Sequence, residues 1–231
     1  MLKKDLILKS PISKILCIND IQKNNFGCVL SRAGIGKTNF LVQIAITQLL
    51  SDKKVFHICL NDRTQRINLR YNEGFKNLID SVGYIDPKQA KKLWDEIKIN
   101  KIPISYNKNT FDTIKIKNYL QSFQEADLTL PSIMIVDGLD FSEEKIKNTL
   151  EQFKDVQKDF PIGIWFSIQT HRDEKLNKKG FPIQLETHKE NFNKAFFLFP
   201  IADKIESRLL INKENTGKSH TLNPVIMGIR S

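Results

Sequence analysis

An apolar run, Phe26 to Leu30, and a stripe of apolar residues at helical spacing, Phe40, Leu41, Ile44, Ala45 and Leu49, flank Ser31-Arg32-Ala33-Gly34-Ile35-Gly36-Lys37-Thr38. The run reads as a buried strand and the stripe as a helix, so a glycine-bearing turn joins strand to helix directly. Gly34 and Gly36 allow backbone angles closed to other residues, which lets successive N–H groups converge at the helix N-terminus. Convergent N–H groups beside the positive end of a helix dipole bind anions, phosphate above all. Lys37 is placed to reach the β and γ phosphates of a nucleotide, and Thr38 to give its hydroxyl to Mg²⁺, so Ser31 to Thr38 reads as a phosphate-binding loop. Ser31 stands where the usual pattern has its first glycine, a change the loop tolerates if Ser31 keeps ordinary backbone angles.

Four further apolar runs read as buried strands: Val55 to Leu60, Ile133 to Val136, Ile162 to Ile168 and Ala195 to Phe199. Helical stripes lie between them. Ala90, Leu93, Trp94 and Ile97 follow an Asp86-Pro87 start, with Pro87 suited to the first helical position; Ile146, Leu150, Phe153 and Val156 follow Ser142 as the expected N-cap. Strands separated by helices require parallel crossovers, hence an α/β protein with a mostly parallel central sheet flanked by helices. No repeat, low-complexity tract or shift of composition divides the chain, so residues 1–231 are expected to form a single domain. Residues 172 to 193 lack a period and read as a long loop.

Composition narrows the class further. Of 231 residues, 40% are hydrophobic and 27% charged, which excludes fibrous and wholly disordered chains. Cys17, Cys28 and Cys59 are odd in number and far apart, arguing against a disulfide framework or structural zinc. No signal-like segment and no run of 18 apolar residues is present, so the expected compartment is the cytoplasm, without a membrane partner. The formal net charge of +10 invites a nucleic-acid partner, but the excess sits mainly in residues 1–60, with 9 basic against 3 acidic residues. Charge therefore leaves nucleic acid as an open possibility.

Ile133 to Val136 lead to Asp137 at the carboxyl end of a buried strand, about a hundred residues after the phosphate loop. Asp137 is placed there to hold Mg²⁺ or its water. With that strand in view, the chain resembles RecA-like P-loop ATPases, nearest the KaiC-like and DnaB-like branches. The likeness rests on the loop through Thr38, the strand Val55 to Leu60 followed by Asn61-Asp62, the strand ending Val136-Asp137-Gly138-Leu139, and Trp165 to Gln169 followed by Thr170-His171. Ala202-Asp203 and Arg208 to Lys213 look like the terminal strands of the same fold. The resemblance implies a three-layer RecA-like core in which the strand ending at Gln169 lies between the two phosphate-site strands.

The resemblance also implies roles. In that family a glutamate after the second strand polarises the attacking water; the matching positions here are Asn61 and Asp62, whose carboxylate is one methylene shorter. Asp140, Glu143 and Glu144 are alternative bases. Gln169 corresponds to a γ-phosphate sensor, with His171 and Arg172 adjacent to it. Rings or filaments of such proteins supply a cation to the neighbouring subunit; Arg208, Lys213, Lys218 and Arg230 are the basic candidates. Arg63, Arg66 and Arg70 would share one face of a helix after the second strand, a face expected to be solvated.

The expected function is Mg²⁺-dependent ATP binding and hydrolysis, with Lys37, Asp62 and Gln169 as catalytic residues, Ser31 to Thr38 and Asp137 at the nucleotide, and Thr38 and Asp137 at the metal. A homo-oligomer and coupling to DNA are natural for the family. The shorter carboxylate at Asp62 equally suits a nucleotide-binding regulatory or assembly subunit that hydrolyses ATP poorly. A small-molecule kinase is the third reading, disfavoured because no arginine-rich lid follows Asp137.

Overall fold

Every apolar run above is a strand in the computed structural model, which describes residues 2–17, 21, 25–60, 62–142, 144–170, 182–201, 204–212 and 219–222. Among these residues the strands are β1 (Phe26–Ser31), β2 (Val55–Cys59), β3 (Lys101–Ser105), β4 (Ile133–Asp137), β5 (Gly163–Gln169), β6 (Lys194–Ile201), β7 (Lys204–Asn212) and β8 (Ser219–Leu222). They make one sheet in the order β3-β2-β4-β5-β1-β6-β7-β8. The first six are parallel, and β7 and β8 are added antiparallel. Thus β5 lies between β4 and β1, the arrangement the RecA-like resemblance implied.

The central strands are apolar throughout because both faces are covered. Alternate residues point to opposite sides, so Val29, Val55, Ile133, Ile135 and Trp165 enter one core while Cys28, Leu30, Phe56, Met134, Val136 and Phe166 enter the other. The first core is closed by α1 (Leu2–Lys9), α2 (Lys37–Leu50), α3 (Thr64–Val82) and α4 (Pro87–Ile97). The second is closed by α5 (Thr113–Glu125) and α6 (Ile146–Asp159). The result is three layers, and no helix among the described residues is long and apolar enough to cross a membrane.

Local chemistry sets the helix ends. Pro87 opens α4, and the Asp86 carboxylate accepts from the N–H groups of Lys88 and Gln89. Asp112 caps α5 in the same way through the N–H of Ile114. The expected cap of α6 is corrected: that helix begins at Ile146 behind Lys145, without a side-chain cap. Ser142 turns back instead, its N–H and hydroxyl both donating to Asp140 Oδ1 at 2.9 and 2.7 Å. Elements absent from the sequence reading are α1, α5 and β3, the last an edge strand that tolerates Pro103. In the expected long loop, residues 182–193 hold a short helix, α7 (Ile183–Glu186), and a 3₁₀ turn, Lys189–Asn191, with Leu185 and Phe192 buried beneath. His171, Arg172 and the remainder of that loop through residue 181 lie outside the described residues, as do Asn61, Glu143, Ala202, Asp203, Lys213, Lys218 and Arg230.

Gly27 on β1 pairs with Trp165 on β5, and a Cβ at Gly27 would lie 2.5 Å from the indole ring. The ring has nowhere to retreat: it is buried, its Nε1–H donates to the Ile21 carbonyl at 3.3 Å, and it stacks on Phe196. Gly27→Ala is therefore expected to destabilise the fold by about 2–3 kcal/mol. Urea denaturation measures this, and an unchanged midpoint would refute the packing argument.

Candidate functional site

The chain leaves β1 at Ser31, crosses the glycine loop and enters α2 at Lys37. Gly34 and Gly36 have φ of 82° and 99°, left-handed values at which a side chain would be strained, whereas Ser31 is not among the positive-φ residues. Serine at the first loop position thus fits. Its carbonyl accepts from Thr170 N–H at 2.9 Å, continuing the β1–β5 pairing past the strand ends. The Lys37 ammonium folds back over the loop and donates to the carbonyls of Ser31 and Arg32, each at 2.9 Å. Burial lowers its pKa to about 8, opposed by the negative charge of Asp137.

Thr38 Oγ1 donates to Asp137 Oδ2 at 2.7 Å, joining two residues 99 positions apart. Two hard oxygens at this separation suit neighbouring positions of a Mg²⁺ shell, where ligands at ~2.1 Å and ~90° lie ~3 Å apart. No group of three or more His, Cys, Asp or Glu side chains placed to hold a metal occurs among the described residues. The turn after Asp137 is held by Gly138 at φ 95°, whose N–H donates to Ser167 Oγ on β5 at 2.9 Å.

A cavity of about 350 Å³ opens above these strand ends. Ala33, Gly34, Lys37 and Thr38 line it from the loop, Asp137 to Ser142 from the β4 turn, Ser167 and Gln169 from β5, and Lys108 from the turn after β3. The structure therefore brings Lys37, Thr38, Asp137 and Gln169 together, with Asp140 beside them. Glu144 is exposed and does not line the cavity. Arg208 lies on β7 with its guanidinium 5.2 Å over the Phe199 ring, away from this cavity.

Asp62 does not line the cavity either. Its Oδ1 accepts from Arg66 at 2.9 Å, and its Oδ2 lies 3.7 Å from Arg70. Arg70 also donates to Asn39 Oδ1 at 3.2 Å, one residue after Thr38. The arginine face is solvated at Arg63 and Arg66 as expected, while Arg70 is half-buried, and α3 brings Arg66 and Arg70 to one carboxylate that is only 15% exposed. Below lies His57, fully buried on β2, with Nδ1 3.0 Å from the Tyr71 hydroxyl and Nε2 without a partner. A lone histidine within an apolar strand gave no sequence signal.

No family model and no curated protein matches the sequence. Solved structures do. A solved ATPase domain superposes with a TM-score of 0.61 at 14% identity, covering 87% of this chain and 81% of that one. A DnaB-like replicative helicase, solved with attention to its interactions with primase, gives a TM-score of 0.65 at 14% identity, covering 87% of this chain and 55% of the helicase. At such identity the likeness is one of fold, and the chain has the RecA-like P-loop fold of DnaB-type ATPase domains.

The buried imidazole makes a prediction about pH. Burial lowers the His57 pKa from 6.5 to about 4, so the folded protein keeps the ring neutral where the unfolded chain protonates it. Between those values the unfolded state binds more protons, and stability therefore falls as pH drops from about 6.5 toward 4. Each unit of separation is worth about 1.4 kcal/mol. Denaturation of the wild type and His57→Gln at pH 7, 5.5 and 4.5 should show a shallower loss in the variant, and parallel losses would refute the assignment.

Proposed function

We propose that the chain binds Mg²⁺-ATP across Ser31 to Thr38 and Asp137 and hydrolyses it. The observation that carries this reading is the 2.7 Å contact of Thr38 with Asp137 in the cavity that also holds Lys37. A polyphosphate seated at the N-terminus of α2 would meet backbone N–H groups and the positive end of the helix. Lys37 would exchange its two carbonyl acceptors for phosphate oxygens, and the anion would restore the full ammonium charge that burial weakens. Thr38 and Asp137 would hold Mg²⁺, whose chemistry is to neutralise charge on the β and γ oxygens. Gln169, at the end of β5, would orient the γ-phosphate or its water.

In hydrolysis a water oxygen bonds to the γ-phosphorus, the bond to the β–γ bridging oxygen breaks, and the water proton passes to a base. Asp62 is the base that the family resemblance suggests, and here it would act only after loosening from Arg66 and Arg70. Asp140 is the second reading, favoured because it lines the cavity. If neither serves, ATP acts as a conformational ligand of a regulatory or assembly subunit. The DnaB-like fold supports assembly into a homo-oligomeric ring or filament and coupling to DNA, with Arg208 a candidate to reach a neighbour's γ-phosphate.

Steady-state phosphate release from ATP with Mg²⁺, with and without single-stranded DNA, tests the reading. Lys37→Ala should lower turnover at least ~100-fold, the scale of losing one transition-state cation. A comparable loss in Asp62→Asn but not Asp140→Asn assigns the base to Asp62, and the reverse assigns it to Asp140. Binding of ATP without turnover in any condition favours the regulator.

A further inference from the structure

The cavity contains a cation that neither the phosphate-loop pattern nor the fold accounts for. Lys108 follows β3, the edge strand separated from β1 by β2, β4 and β5, yet it lines the same cavity as Lys37. Its position is built rather than incidental. Tyr106 N–H donates to the Cys59 carbonyl at 3.0 Å, which carries the β2–β3 pairing beyond the strand and fixes the chain two residues before Lys108. Asn107 then caps a 3₁₀ turn, Lys108–Thr110, its side-chain oxygen accepting from Asn109 N–H at 2.9 Å. On the far side of the turn, Phe111 packs edge-on against Tyr106 and stacks on Phe153 of α6. The backbone of the turn is thus anchored at both ends, and it brings the exposed Lys108 to the cavity.

Its partners in the cavity are hydrogen-bonded elsewhere. Many lysines of this chain pair with nearby acids, among them Lys98 with Asp95, Lys154 with Glu151 and Lys158 with Asp155. Among the described residues Lys108 has no ion pair, although two carboxylates share its cavity. Asp137 is engaged by Thr38, and Asp140 Oδ1 by the N–H and hydroxyl of Ser142. A polyanion in the cavity would meet Lys108 without an ion pair having to break first.

We propose that Lys108 is a second cation for the terminal phosphate, supplied by the same chain, and that it makes the site prefer nucleoside triphosphates over diphosphates. The inference rests on the nucleotide reading above and deepens it. Lys37 sits on the loop that would cradle the whole polyphosphate, whereas Lys108 lines the cavity from the β3 side, across β2, β4 and β5 from that loop. Removing Lys37 should therefore weaken every nucleotide, and removing Lys108 only those with a γ-phosphate.

Equilibrium titrations with fluorescent ADP and a fluorescent non-hydrolysable ATP analogue, both with Mg²⁺, test this in wild type, Lys108→Ala, Lys108→Arg and Lys145→Ala. Lys145 lines an adjacent cavity that Lys108 also borders, but not the one that holds Lys37, and so controls for general loss of positive charge nearby. Lys108→Ala should weaken the triphosphate about tenfold, the scale of one charge-assisted hydrogen bond, and leave the diphosphate within about twofold. Lys108→Arg should recover most of the loss, and Lys145→Ala should leave both affinities near wild type. Equal weakening of both nucleotides by Lys108→Ala, no weakening of either, or the same loss in Lys145→Ala overturns the proposal while the nucleotide site stands. Failure of the wild type to bind either nucleotide overturns both.

Discussion

The register between β4 and its neighbours governs everything built above the sheet. Asp137 pairs with Cys59 of β2 and shares a face with Ile133 and Ile135, whose burial against α2 and α3 fixes which way each β4 side chain points. Side chains alternate along a strand, so a slip of one residue would turn Asp137 to the α5–α6 face and set an apolar side chain against Thr38. The slip is opposed at both ends of β4. Ser132 N–H donates to the Lys54 carbonyl and Leu60 N–H to the Asp137 carbonyl, each at 2.9 Å. The 2.7 Å contact of Thr38 with Asp137 is thus a consequence of core packing several residues away.

The same logic explains why the strand ends form a site at all. Parallel strands covered on both faces present their carboxyl ends on one side of the sheet, and ligands of α/β proteins bind in the crevice there. Here β5 lies between β1 and β4, so Gln169 pairs with Ser31 on one side while Ser167 fixes the Gly138 turn on the other. The glycine loop, Asp137 and Gln169 come from three adjacent strands. None of them needs a mobile element to meet.

Legibility in the sequence followed burial. The runs that became β1, β2, β4 and β5 are apolar because both faces are covered, and α2 is buried from Phe40 to Leu50, so periodicity and hydrophobicity agreed there. β3 was not legible because an edge strand is half-covered: Lys101 and Ser105 bracket it and Pro103 interrupts its donors. α5 buries only Thr113, Ile116 and Leu120 among lysines and polar residues, too narrow a stripe to stand out. In the site, the meeting of the loop with Asp137 was readable because their positions are set by local backbone and strand ends. Asp62 was readable as a position but not as an environment, since its partners Arg66 and Arg70 are joined to it by the way α3 leaves the sheet. Lys108 carried no signal, because a lysine in a polar turn looks like any solvated lysine until the cavity is seen.

Binding and hydrolysis have different structural requirements in this chain. The groups that would hold nucleotide, Lys37, Thr38 and Asp137, are already within hydrogen-bonding reach of one another or of the loop. The carboxylate that the fold suggests for the water is not: Asp62 has one firm contact, Arg66 at 2.9 Å, and one long contact, Arg70 at 3.7 Å. Arg70 is shared, because the same guanidinium donates to Asn39 in the first turn of α2. A displacement of that turn therefore changes the geometry around Asp62, and a change of about an ångström in the placement of a reacting group is worth about a hundredfold in rate. Affinity for nucleotide would follow from contacts that the sheet register makes rigid, whereas turnover through Asp62 would depend on a shared arginine whose weaker arm is at the limit of an ion pair.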